Sequence, residues 1–262
     1  MKSIHLYRIP LMGSLLLLLL LQSCAKKNFE GYPNTLSDGF ENAATPEDLL
    51  KDQGGEWSAI QLSLEANEII PLSGRAHTGS RALKCTAAAS TDEVSKCSIF
   101  NNELTLKEGE IFHFTAWYYL EGDANVDYLF LADLEERVSI GPSPGIRIAL
   151  AGPEGYLVLE RGKIAEKTIH QEAGSERSFP RDQWVYLEWR VEMQRKKRGS
   201  VRVWQDNRLL IEATDIRTMP RDRLYVVQGT KGIYSNIEVG ITANTKESDV
   251  TLWVDDVEVW TE

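Results

Sequence analysis

Two carboxylates lie two residues apart in a segment with strand-like alternation. Apolar side chains recur at every second position of residues 127–135, namely Tyr128, Phe130, Ala132 and Leu134. Residues two apart in a strand point to the same face, so Asp133 and Glu135 are expected side by side on the opposite face. Two such carboxyl groups can supply a proton donor and a nucleophile for the cleavage of a glycosidic bond.

A second group of candidates lies on the polar side of residues 110–120. The predicted inward face is apolar and consists of Phe112, Phe114, Ala116 and Tyr118. The other face carries His113, Trp117 and Tyr119. Aromatic rings have apolar faces that can stack on sugar rings, so these three side chains are candidate carbohydrate-binding residues. The alternative is that they pack beneath a loop.

Two cysteines, Cys85 and Cys97, lie in predicted strands 81–88 and 93–100. A turn at residues 90–92 would join these strands as a hairpin and place the two cysteines opposite each other. Cross-strand pairs on one face are close enough for a disulfide. Two buried thiols are the alternative, and two cysteines alone do not form a metal site.

The first 23 residues have the pattern of an export signal. Lys2 and Arg8 make the start basic, residues 15–21 are entirely leucine, and Ser23 precedes Cys24. The apolar stretch is too short to span a bilayer. We therefore predict a signal peptide at 1–23, a tether at 24–36, and one domain at 37–262.

The formal net charge is −10, with 39 acidic and 29 basic side chains. An acidic chain disfavours nucleic acid as a partner. The same charge also weakens the case for a highly sulfated polyanion.

The remaining pattern is a series of short alternating segments separated by turn residues. They are 110–120, 127–135, 146–150, 156–160, 183–193, 200–204, 208–212, 237–242 and 250–259. Only residues 45–50 favour a helix, of one or two turns. Strands of this number and spacing predict an all-β, two-sheet antiparallel β-sandwich.

Residues 21–24, with the sequence Leu-Gln-Ser-Cys, resemble the lipobox of bacterial lipoproteins. That resemblance implies that Cys24 is lipidated after cleavage of the signal peptide. The protein would then reside in the bacterial cell envelope, on the periplasmic face or the cell surface, and contact the outer membrane only through its lipid anchor.

The domain itself resembles jelly rolls of the concanavalin A-like lectin/glucanase group, including polysaccharide lyases of the alginate and heparin lyase I types. The similar segments are 38–41, 76–84, 144–147, 155–158, 179–185, 201–206 and 253–257. The resemblance covers nearly the whole of 37–262. It implies a jelly roll and a polysaccharide or oligosaccharide partner, and we expect a monomer.

Residues 229–234 look like a shortened form of a lyase motif that carries a lysine and a tyrosine. The resemblance makes Tyr234 an acid or base for β-elimination and Lys231 its electrostatic partner. Such lyases also place a glutamine and a histidine on a middle strand and an arginine on an earlier one. Residues 129–135 contain no histidine and residues 100–103 no arginine, so the set is incomplete. Related β-glucanases use glutamate, aspartate and glutamate at alternate positions, and here Leu131 occupies the first.

The jelly-roll resemblance also implies a structural calcium ion, with Glu41 and Asp255 as ligands beside loop carbonyls near Arg75 and Thr78. Calcium prefers several hard oxygen ligands. The alternative is that Asp255 only finishes an edge strand.

These observations favour an exported lipoprotein that binds or processes polysaccharide with an incomplete catalytic set. One alternative is an active polysaccharide lyase acting on a uronate polymer, which the sequence favours over a glycoside hydrolase if the protein is an enzyme. Another is a scaffold or protein-interaction lipoprotein without a sugar ligand. The first two hypotheses predict that five side chains converge in an open groove: Asp133, Glu135, Arg147, Lys231 and Tyr234.

Overall fold

The computed structural model describes residues 34–136, 143–221 and 232–262. The predicted signal peptide, Cys24 and most of the 24–36 tether lie outside this part of the chain. The last tether residues already belong to the folded body, because Asn34 accepts a hydrogen bond from the backbone of Thr105 at 2.8 Å. Within the described ranges, no helix has the length and apolar character needed to cross a membrane.

Fourteen strands make up the described fold. They are β1 Leu36–Asp38, β2 Ala59–Leu62, β3 Glu68–Ser73, β4 Arg81–Ala87, β5 Cys97–Asn101, β6 Ile111–Leu120, β7 Leu129–Glu135, β8 Gly145–Ala151, β9 Tyr156–Glu160, β10 Trp184–Glu192, β11 Gly199–Gln205, β12 Arg208–Ile216, β13 Asn236–Ala243 and β14 Val250–Thr261. Short 3₁₀ turns occur at Glu47–Leu49, Lys51–Gln53 and Gly162–Ile164. The predicted helix at 45–50 is thus a single 3₁₀ turn.

The strands form two antiparallel sheets packed face to face. The eight-stranded sheet has the order β12-β11-β10-β6-β14-β4-β3, with β1 also paired to β14. The six-stranded sheet has the order β2-β5-β13-β7-β8-β9. The fold is therefore the predicted all-β jelly-roll sandwich.

Alternating apolar residues build the core between the sheets. On β10, Val185, Leu187, Trp189 and Val191 are buried, while the residues between them are half-exposed. The Trp189 ring meets Phe112 of β6 edge-on, with ring centroids 5.6 Å apart. Strands β7 and β13 differ, because every residue of both is buried. The side chains on the outer face of these two strands are therefore covered by other parts of the chain. They form the floor of the candidate site.

The predicted hairpin between the two cysteine-bearing strands is wrong. Strand β4, with Cys85, pairs with β3 and β14 in the eight-stranded sheet, whereas β5, with Cys97, pairs with β2 and β13 in the six-stranded sheet. Both cysteines are buried free thiols here, and Cys97 Sγ donates a hydrogen bond to the carbonyl oxygen of Glu68 at 2.9 Å. Burial, followed by the neighbouring Cys97, raises the pKa of Cys85 well above its usual value. The two cysteines thus lie on opposite sheets of the sandwich, and a disulfide between them stays a prediction.

Candidate functional site

Three carboxylates meet on the outer face of the six-stranded sheet. Asp133 and Glu135 share one face of β7, and Glu238 lies directly opposite Asp133 on β13. One oxygen from each group lies within 4.8 Å of the others. All three residues are buried. The pair predicted from the alternation is therefore joined by a third carboxylate that the sequence pattern did not single out. We call these three residues the acid cluster.

A lysine from a turn above the sheet neutralises part of this charge. Lys163 lies in the 3₁₀ turn Gly162–Ile164, which follows β9. Its Nζ is 3.2 Å from Oδ2 of Asp133 and also contacts Oε1 of Glu135. The turn ends at Ala165, which has a left-handed backbone with φ of 56°. No motif in the sequence identified Lys163.

Hydroxyl groups fix two of the carboxylates from the sides. Thr242 Oγ1 donates a hydrogen bond to Asp133 Oδ1 at 2.7 Å. Ser98 Oγ donates to Glu238 Oε1 at 2.5 Å. Such fixed partners hold the cluster in one arrangement, because a buried charge is tolerated only when it is paired and hydrogen-bonded.

Burial and mutual repulsion raise the pKa values of two carboxyl groups. Desolvation, followed by the charge of Asp133, raises the pKa of Glu135 to about 8 despite the nearby Lys163. Desolvation and Asp133 likewise raise the pKa of Glu238. A carboxyl group with its pKa raised in this way can carry a proton near neutral pH and donate it, as a general acid must.

A groove of about 580 Å³ opens above the cluster. Gln61, Lys96 and Phe100 line one side, while Asn236 and Glu238 belong to the central strand. Lys96 Nζ is 3.4 Å from the Glu238 carboxylate. The groove therefore combines apolar side chains and an aromatic ring with several convergent polar and charged groups, and such a combination can bind a small molecule or a glycan.

Arg147, which we predicted as a site residue, lines the same groove. It is paired with Glu160, with Nη2 2.8 Å from Oε2, and its guanidinium lies 3.8 Å from the centre of the Phe130 ring. The Tyr128 ring in turn stacks on the Phe130 ring, with ring centroids 6.4 Å apart. Tyr128 is 53% exposed. Of these two rings only that of Tyr128, just before β7, is accessible, because Phe130 is buried. The alternation predicted Phe130 on the face opposite Asp133; the register shift between Phe130 and Ala132 instead places it on the same face, beneath Arg147.

The predicted convergence of five side chains is only partly correct. Asp133, Glu135 and Arg147 lie together. Tyr234 does not join them: it is fully buried, and its hydroxyl donates to the carbonyl oxygen of Thr218 at 2.7 Å. Burial raises the pKa of Tyr234 well above its usual value. A polymer on the surface cannot reach this hydroxyl. Lys231 lies outside the described residues.

The three predicted carbohydrate-binding residues lie on the other sheet. His113, Trp117 and Tyr119 point outward from β6, on the outer face of the eight-stranded sheet. Trp117 stacks under His77 with centroids 3.6 Å apart, and the Arg75 guanidinium lies 4.2 Å from the Tyr119 ring centre. They therefore do not contribute to the acid-cluster groove, and carbohydrate binding at this second face stays a prediction.

The predicted calcium ligands are surrounded by hydrogen-bond donors. Glu41 Oε1 accepts from the backbone N–H of Ser80 at 2.8 Å, and Asp255 Oδ2 accepts from those of His77 and Thr78 at 2.7 and 3.2 Å. Calcium requires oxygen atoms at these positions rather than N–H groups. N–H groups in these places do not fit the ion in the conformation described. The calcium site stays a prediction.

Comparison with known proteins identifies the fold class. No protein-family model matches the sequence, and no curated protein matches it. Solved structures do match. A glucuronan lyase from the fungus Trichoderma reesei superposes with a TM-score of 0.55 at 14% identity, covering 78% of this chain and 90% of that one. The cellulose-induced protein Cip1 gives 0.60 at 14% identity, covering 86% and 96%.

A third match is the alginate lyase Aly36B, in a variant bound to an alginate trisaccharide. It gives a TM-score of 0.54 at 10% identity, covering 87% of this chain and 98% of that one. At such identities the likeness concerns the fold. This chain is a jelly-roll sandwich of the kind found in alginate and glucuronan lyases.

Proposed function

We propose that this protein binds a polysaccharide chain in the groove on the outer face of its six-stranded sheet. The main support is the groove itself. Its floor contains carboxylates held in place by hydrogen bonds, and Lys163 contacts them from a turn above the sheet. The polar groups of the floor can form hydrogen bonds with sugar hydroxyl groups. The exposed ring of Tyr128 can stack on a sugar ring. Neighbours of the same fold are bound to alginate oligosaccharides, which supports a glycan as ligand.

Tyr128 provides the test of this binding surface. We expect Tyr128→Ala to weaken glycan binding about tenfold, because one sugar ring loses its stacking partner. The free energy of unfolding should change little, since half of the side chain is exposed. Affinity electrophoresis in gels containing soluble glycans would measure the shift for each polymer.

Leu72→Ala is the matched control, because Leu72 is a 37% exposed apolar residue on β3 in the other sheet. It should leave binding unchanged. Equal glycan affinity of the wild-type protein and Tyr128→Ala would contradict the proposed surface. No binding to any glycan would instead favour a scaffold or protein-interaction role.

The acid cluster also favours a catalytic role, as a second candidate function. Glu135, whose pKa is about 8, can protonate the leaving oxygen of a glycosidic bond. Asp133 or Glu238 can attack the anomeric carbon, and water then releases the sugar from the resulting ester. The short spacing within the cluster resembles that of retaining enzymes, whose carboxyl groups lie roughly 5–5.5 Å apart, and not the wider spacing of inverting ones.

The products of such a reaction separate hydrolysis from elimination. Hydrolysis would release reducing ends without unsaturated, ultraviolet-absorbing ends. Elimination would release both from a uronate polymer. Neither product from any polymer that binds would leave the protein as a non-catalytic binding module.

We also propose that Cys24 is lipidated and anchors the protein in a bacterial envelope. The basic start, the leucine run and the residues 21–24 support this. Full-length protein expressed in a bacterium should partition into detergent with the added mass of acyl chains, and Cys24→Ala should not. A wild-type protein without added mass would contradict the anchor.

A further inference from the structure

We infer that the groove is built for an uncharged polysaccharide and not for a uronate polymer, an inference that rests on the proposed function of the groove. The solved neighbours named as lyases act on glucuronan and alginate, which carry a carboxylate on every sugar. The charges of the groove are arranged differently from what such a ligand requires.

Each cation that lines the groove, among the described residues, is already bound to a carboxylate of the protein. Lys163 contacts Asp133 and Glu135. Lys96 contacts Glu238.

Arg147 completes the set through its contact with Glu160, and the same oxygen of that carboxylate accepts from both Nε and Nη2 at 2.8 Å. A uronate would have to displace an internal carboxylate from its cation and would leave that carboxylate buried beside a second negative charge. An uncharged sugar carries no such cost.

An unused acceptor in the groove indicates what the ligand must offer. Asn236 lies opposite Glu135 on β13, lines the groove and is only 6% exposed. Within residues 34–136, 143–221 and 232–262, no donor reaches its side-chain oxygen. A buried acceptor without a partner is unfavourable, and a ligand hydroxyl group can satisfy it.

The protonated Glu135 beside Asn236 adds a donor to this acceptor. The two residues are cross-strand partners that line the same groove, and desolvation, followed by the charge of Asp133, raises the pKa of Glu135 so that its carboxyl group can carry a proton. The two side chains then present one donor and one acceptor, the combination that a sugar hydroxyl group requires.

The inference also bears on the reaction. β-Elimination needs a uronate carboxyl group to acidify the neighbouring C–H bond. An uncharged sugar lacks that group, so any cleavage in this groove would be a hydrolysis, with water as the second substrate.

A panel of soluble neutral glycans, uronate glycans and the same uronate glycans after chemical reduction of their carboxyl groups tests the inference by affinity electrophoresis. We expect neutral glycans to bind, and reduced glycans to bind at least tenfold more tightly than their acidic parents. Tighter binding of the acidic parents would overturn the inference while the proposed function stands. Absence of binding to every glycan would overturn both.

A designed gain of function gives a second, independent readout. Glu160→Gln releases the Arg147 guanidinium, which can then bind a uronate carboxylate with two hydrogen bonds. We expect the affinity for uronate glycans to rise about tenfold relative to the affinity for neutral glycans. Glu212→Gln is the control, because it removes the same charge from an arginine–glutamate pair, Arg202 with Glu212 at 2.7 Å, that is more exposed and lies on the other sheet. Unchanged uronate binding by Glu160→Gln would overturn the inference.

Discussion

Glu135→Gln is expected to remove the part of the stability loss at rising pH that Glu135 causes in the wild-type protein, which amounts to several kcal/mol. Burial and the charge of Asp133 raise the folded-state pKa of Glu135 from 4.5 to about 8. The folded protein therefore binds a proton that the unfolded chain releases. The contribution of Glu135 to stability is complete below pH 4.5 and is lost between pH 4.5 and about 8, at about 1.4 kcal/mol for each pH unit.

Urea denaturation of both proteins at a series of pH values from 5 to 9 measures this effect. The difference between the two free energies of unfolding should grow with pH in favour of the glutamine variant. Burial and the charge of Asp256 raise the pKa of Asp255 to about 7, so this group also lowers stability as the pH rises. Its contribution is the same in both proteins and cancels in the difference. Glu103→Gln, at a mostly exposed carboxyl group, is the control. A difference that does not vary with pH would show that Glu135 is ionised in the folded protein.

Lys163→Met is expected to destabilise the protein by about 3 kcal/mol at neutral pH, because it leaves the buried acid cluster without its nearest cation. Desolvation lowers the pKa of Lys163, but the charges of Asp133 and Glu135 outweigh it and raise the pKa overall. The lysine is therefore charged over the whole working range. At pH 5 the loss should be smaller, since more of the cluster is protonated.

Lys51→Met removes a comparable lysine from an exposed pair with Glu103 and should cost less than about 1 kcal/mol. Urea denaturation at pH 5 and pH 7 gives the four values needed. Equal losses for the two lysines at pH 7 would mean that the acid cluster does not depend on Lys163.

The strands could be predicted closely because alternation records burial directly. Residues 183–193 and 110–120 correspond to β10 and β6 within one residue at each end. Alternation does not record which sheet a strand joins. Consecutive strands in a jelly roll often belong to opposite sheets, and for this reason the hairpin between β4 and β5 was wrong although both strands exist.

The site could be predicted in part for the same reason. Asp133 and Glu135 lie two apart on one strand, so their proximity follows from strand geometry. Glu238 lies beside them because β13 pairs with β7, and Lys163 contacts them from a turn after β9. The local spacing of residues in the sequence predicts neither contact. Tyr234 was assigned from a motif resemblance, and its burial depends on the packing of distant residues such as Thr218.

The outward position of His113, Trp117 and Tyr119 was predicted correctly, but their sheet was not predictable. The two outer faces of the sandwich consequently differ in character. One holds the acid cluster and its ion pairs, and the other holds stacked aromatic side chains beside His77 and Arg75.

The crystal structure of the protein with the tightest-binding oligosaccharide of the glycan panel would test the central claim most directly. We expect the sugar to lie on the six-stranded sheet, within hydrogen-bonding distance of Glu135 and Asn236 and stacked on Tyr128. A sugar bound only to the eight-stranded sheet, over Trp117 and Tyr119, would contradict the account.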